Sequence, residues 1–134
     1  MSAAAKEIDA QRERLRFLRD IAAREAVLLA ETDTRLFDLP VTAARLRDLA
    51  TAPELSERID AYVARLSRLQ DGLADRLLPA LLRWLAESVG PTIDNLNRAE
   101  KLSWLASADA WMDCRRLRNR LIHEYVQDAG RLAG

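Results

Sequence analysis

The chain has 134 residues, 49% hydrophobic and 31% charged, with four glycines and four prolines; this excludes disordered and fibrous classes and fits one domain with its own core. Twenty-one basic residues balance twenty-one acidic ones, so no overall field draws the chain to nucleic acid. The single cysteine, Cys114, excludes an intrachain disulfide and a cysteine-rich zinc site.

Apolar residues recur with helical period throughout, and no stretch alternates as a strand would. Residues 4–35 carry Ile8, Leu15, Leu18, Ala22 and Leu29 on one side and charge on the others, which predicts one long amphipathic helix. Leu39-Pro40 closes it, because proline pushes the preceding residue out of helical dihedrals. A short helix is expected from Thr42 to just before Pro53. Thr51-Ala52-Pro53-Glu54 reads as a capping box, with Pro53 tolerated in the first turn, where amides lack helical partners.

The helix opened there has an apolar row at Ile59, Tyr62, Val63, Leu66, Leu69, Leu73, Leu77, Leu81 and Trp84, and Pro79 is expected to kink it. Gly90-Pro91 is the clearest break. A modest helix is predicted around 95–105 and a final one from Ser107, a good N-cap with Asp109 in the first turn. Four main helices and a short one, joined by short connections, predict an all-α up-and-down bundle forming one domain over residues 1–134.

The most apolar run, Leu77 to Leu85, is interrupted by Arg83 and is too short to span a bilayer. Residues Met1 to Glu7 lack the basic-then-apolar order of a signal peptide. The expectation is a cytoplasmic protein with no membrane association.

Lys6 and Lys101 are the only lysines among the 21 basic residues, so nineteen are arginine; codon bias and functional pressure are both open as the reason. On the last helix Trp111, Cys114, Leu117, Leu121 and Ile122 share one broad side, with Tyr125. Arg118 projects from the middle of that side and must be paired, reach water or line a cleft, because its guanidinium cannot deprotonate. Asn119 and His123, four residues apart, are neighbours on the adjoining flank. Arg115, Arg116, Arg118 and Arg120 make a local basic patch, which suits a solvated face or an RNA-backbone contact equally.

His123 is the sole histidine. Imidazole exchanges protons near neutral pH, and a fixed arginine neutralises a phosphate or developing oxyanion, so the set suits phosphodiester chemistry. Spacing alone is weak: with 19 arginines in 134 positions, one falls five residues before a given histidine about one time in seven. A structural histidine remains the competing reading. No HExxH zinc motif, GxSxG elbow or glycine-rich phosphate loop is present.

The string from Arg118 to Tyr125, RNRLIHEY, resembles the Arg-x4-His-x-Tyr motif of the HEPN superfamily, in particular the HepT-like toxins encoded beside a minimal nucleotidyltransferase. Asn97 to Leu102 (NRAEKL), Ser107 with Trp111, and Arg116 to Asn119 are also similar to that group. The detailed likeness covers residues 94–126; the remainder agrees as an all-α bundle of suitable length.

The resemblance implies an HEPN-like bundle that forms a homodimer and cleaves RNA without metal or cofactor. By position, Arg118 would contact the scissile phosphate, Asn119 would help orient it, and His123 would handle protons. Tyr125 would be the tyrosine that a nucleotidyltransferase antitoxin modifies with AMP. The superfamily also contains substrate-binding companions of nucleotidyltransferases, so the fold alone does not imply a nuclease. Cleavage by 2′-hydroxyl attack benefits from both a general base and a general acid, and one chain offers one imidazole. A twofold dimer would duplicate His123 and Arg118 across its axis and favours a composite site.

Overall fold

The computed structural model describes residues 2–123; the regular structure among them is all helical, and none of these residues is in a strand. Helix α1 runs from Ala3 to Leu36, matching the predicted long helix, and Ser2 caps it by accepting from the Ala5 N–H through its hydroxyl at 3.1 Å. The predicted short helix divides into α2 (Ala43–Arg47), capped by the Thr42 hydroxyl, and a single 3-10 turn over Leu49–Thr51. Arg45 holds the preceding loop by donating to the carbonyls of Leu39 and Pro40.

Helix α3 (Pro53–Gly72) starts with Pro53 in its first turn, as predicted. The capping box at Thr51 does not form. Thr51 ends the 3-10 turn and its hydroxyl donates to the Asp48 carbonyl at 3.0 Å, so Ala52 becomes the cap with no side-chain bond. A serine or threonine that finds a local carbonyl is drawn away from capping.

The kink expected at Pro79 falls next to an irregular turn of the helix. Residues Leu73–Leu77 form a π turn, in which the Leu78 N–H reaches the Leu73 carbonyl, and α4 (Leu78–Trp84) then carries Pro79 in its first turn. Proline cannot donate and crowds the carbonyl one turn back; widening the coil by one residue accommodates both. Residues 53–84 therefore stay helical without interruption.

Two left-handed residues end helices. Ala86 (φ 55°) stops α4, with the Glu87 N–H on the Leu82 carbonyl and the Ala86 N–H on Arg83. Ser103 (φ 64°) does the same after α5, with Trp104 reaching back to Ala99. Both are Schellman ends built without glycine. They also set the bounds of α5, Thr92–Lys101, which begins directly after Pro91 and stops before the predicted 105. Helix α6 spans Ala108–Leu121 with Ser107 as its N-cap, as predicted, and the Glu100 carboxylate also accepts from the Ala108 N–H at 2.9 Å.

The run α3–π turn–α4 is the central element. Helix α1 packs along it from one side, while α5 lies on α4 and the π turn, and α6 lies on α3 and α5. Arg65 of α3 donates to the Leu28 carbonyl and to the buried Thr32 hydroxyl of α1, tying the two longest helices together. Ala74, Leu96 and Ala108 form a buried cluster, with Leu78, Leu105, Trp111 and Met112 packed on it, and Leu82 is fully enclosed. The π turn, α5 and the start of α6 thus share one apolar centre, which fixes where α6 presents its polar residues. No helix among the described residues is long and apolar enough to cross a membrane.

Candidate functional site

Sequence periodicity places Arg118 on an apolar side, and the fold buries it: the residue is 6% exposed, against α3. Its Nη1 donates to Asp71 Oδ1 at 2.9 Å and to the Ser67 carbonyl at 3.4 Å. Its Nε and Nη2 donate to Asn119 Oδ1 at 3.3 and 3.1 Å. A guanidinium carries five N–H donors, so these contacts leave one, on Nη2. Pairing makes the burial tolerable, since an isolated buried charge is prohibitively costly.

Asp71 is a node. Besides Arg118 it faces Arg115 Nη2 at 3.4 Å, and the same guanidinium lies 3.5 Å from Asp75 Oδ2. Asp75 in turn accepts from the Thr92 hydroxyl at 3.3 Å. One chain of charges therefore joins α6 to α3, the π turn and the start of α5. Asp71 and Asp75 were not read as site residues from sequence. The signal was there, because acids four apart on one helix can face basic residues three apart on another, Arg115 and Arg118.

The other predicted residues divide. Asn119 is turned to Arg118, its Oδ1 accepting from the guanidinium as a clamp. His123 is exposed, beyond α6, in a stretch where Ile122 and His123 have π-type winding. Arg116 pairs with Asp113 at 3.3 Å on the open surface. Three members of the predicted basic patch, Arg115, Arg116 and Arg118, therefore have acidic partners. Arg120 is also exposed and engaged in an interaction. Tyr125 lies outside the described residues. Among the described residues, no group of three or more His, Cys, Asp or Glu side chains could hold a metal ion.

The predicted apolar side of α6 is split. Trp111 and Ile122 are half-buried toward the core, and Leu121 lines an apolar pocket of about 210 Å³ with Leu36, Phe37, Tyr62 and Val63. Cys114 and Leu117 face out, Leu117 being 55% exposed. The face that meets the core is rotated toward Ala108, Met112 and Arg115, because Ala108 must close on Ala74 and Leu96. Burial raises the Tyr62 hydroxyl above its ordinary pKa, with the charges of Asp33 and Cys114 adding to the effect.

A cleft of about 300 Å³ opens beside the node, lined by Ser67, Arg68, Asp71 and Arg76 from the central helix and by Leu18 and Glu25 from α1. The buried Ser67 Oγ and Gln70 Oε1 have no hydrogen-bond partner among the described residues. The arrangement can hold one guanidinium rigidly through Asp71 and Ser67, which also line the cleft, with an exposed imidazole about one turn further along. Comparison with protein-family models, with curated proteins and with solved structures finds no match.

Proposed function

We propose that this chain is an HEPN-like helical bundle of the HepT type, acting as the endoribonuclease toxin of a toxin–antitoxin pair. The observation that carries the reading is the string from Arg118 to His123 at the end of α6, with Arg118 held in one orientation by Asp71 and Asn119. A pre-positioned guanidinium needs no reorganisation to meet a phosphate, which is what electrostatic stabilisation of a phosphodiester transition state requires. His123, exposed at the end of the same helix, would move the proton of the attacking 2′-hydroxyl.

On a regular α-helix Arg118 and His123 would leave about 140° apart, and in the fold one is buried while the other is exposed. Convergence of the two therefore favours a second chain. The outward strip of α6 with Cys114 and Leu117 supports a homodimer through this helix, in which Arg118 of one protomer and the partner's His123 share a composite site. Tyr125 would accept AMP from a nucleotidyltransferase antitoxin, adding negative charge and bulk two residues after His123 and blocking RNA phosphate.

A second reading has its own support. Four of Arg118's five donors are engaged within one chain, which suits a non-catalytic companion that presents nucleotide or substrate to such a nucleotidyltransferase. RNA incubated in chelator with wild type, Arg118→Ala and His123→Ala separates the two. Cleavage by wild type that disappears in both folded variants supports the nuclease; no cleavage by unmodified wild type transfers the reading to the companion. Intact mass after co-expression with a neighbouring nucleotidyltransferase tests Tyr125, with an added AMP expected and an unchanged mass counting against silencing by AMPylation.

A further inference from the structure

A second cleft, of about 430 Å³, lies on the other side of Arg76, where the π turn, α1, α4 and the start of α5 meet. Arg14, Arg76 and Arg83 line it from three different elements. Unlike the arginines of α6, none of the three guanidinium groups forms an ion pair or hydrogen bond with any described residue. The acid in its lining, Asp75, is engaged by Arg115 and Thr92. Asp94 sits at the rim beside Gly90.

The wall of this cleft is a built feature. Asn95, 4% exposed, donates to the Gly90 carbonyl at 3.0 Å and accepts from the Gly90 N–H at 2.9 Å, closing the turn onto α5. Three like charges brought to one concavity repel one another, and the acid in the lining, Asp75, is already shared with Arg115. Planar guanidinium forks suit phosphate oxygens better than any other common anionic group except carboxylate. Among the described residues no aromatic side chain lines the cleft to stack a base, so the chemistry of its lining addresses the phosphate and leaves the base unread.

We propose that this cleft binds phosphates of a polynucleotide backbone and positions the strand. Arg76 lines both clefts, and the second contains Arg68 and Asp71, the partner of Arg118. The track runs from Arg14 and Arg83 through Arg76 to the anchor of Arg118. The strand's identity as RNA rests on the proposed function, whereas the cleft's selectivity for backbone phosphate rests on the three arginines.

The test is fluorescence anisotropy with a 2′-O-methyl RNA strand, which cannot be cleaved through its 2′-oxygen, comparing wild type with Arg14→Gln/Arg76→Gln/Arg83→Gln across a salt series. Losing three phosphate contacts on a single strand makes the slope of log affinity against log salt shallower by about two, and weakens binding roughly a hundredfold at 0.1 M salt. The substituted residues are exposed and unpaired, so the thermal transition should hold or rise slightly as their mutual repulsion is removed. A triple variant that binds as wild type does, or a wild type that binds no strand, overturns the proposal. Cleavage of unmodified RNA is read in parallel. Binding lost in the triple variant while wild type fails to cleave keeps the phosphate track and removes the nuclease; binding retained while wild type cleaves does the reverse.

Discussion

The molecule uses arginine in two opposite ways within a short distance. At the α6–α3 contact Arg118 is buried and nearly saturated by Asp71, Ser67 and Asn119. Across the π turn, Arg14, Arg76 and Arg83 are exposed and unpaired around an open cleft. The first setting has already exchanged water for protein partners, so its charge belongs to the fold. The second retains its electrostatic demand and is available to a ligand. An arginine-rich composition therefore says little about function until each guanidinium is assigned to one of these settings.

The largest contrast is in stability. Arg118→Ala is expected to cost about 2–3 kcal/mol, because it empties a buried site and removes the hydrogen bonds of a charged group. Arg83→Ala is expected to stay within about 0.5 kcal/mol, as surface substitutions do. Urea denaturation of both variants checks this, and equal losses would erase the distinction between the two settings.

A double-mutant cycle sharpens the same comparison inside α6. Arg118 with Asp71 should couple by about 1–2 kcal/mol, reduced from a fully buried pair because Asp71 is 45% exposed at its side chain. Arg116 with Asp113, exposed on both sides and three residues apart, should couple by less than about 0.5 kcal/mol and lose that in high salt. Similar coupling in the two pairs would mean that burial at Arg118 adds nothing.

Much of the helical layout was legible in the sequence because its signals are local. Ser107 has the acceptor geometry of an N-cap, Gly90-Pro91 breaks the chain, and the apolar period of residues 4–35 continues across a helix of that length. One failure is a failure of local competition: Thr51 found the Asp48 carbonyl instead of the start of α3. Pro79 was legible as an irregularity, and the π turn directly upstream of it was not. Cys114 and Leu117 of α6's apolar side face out because the Ala74–Leu96–Ala108 contact dictates the rotation of the helix. The site was legible as a group of residue types but not as a geometry. Asp71 lies 47 residues before Arg118, and the convergence of Arg14, Arg76 and Arg83 depends on packing between α1 and the π turn, which no local pattern encodes.

The smallest effect concerns the backbone that carries each setting. Gly72 follows Asp71 directly and has ordinary helical dihedrals, φ −62° and ψ −42°. A methyl group there would meet Glu25 Oε2 at 3.6 Å, an ordinary contact with the end of a flexible side chain. Ala86 follows Arg83 by one turn and holds a left-handed φ of 55° that favours glycine. Gly72→Ala and Ala86→Gly should therefore each stabilise by about 0.5–1 kcal/mol, the first by restricting the unfolded chain and the second by relieving backbone strain. The two sites are well separated in the chain and share no partner, so their gains should add in the double variant. Thermal unfolding reads the sum directly. A loss at Gly72 would mean that the added methyl group is not accommodated against Glu25, and that α1 and α3 pack too closely there for a side chain.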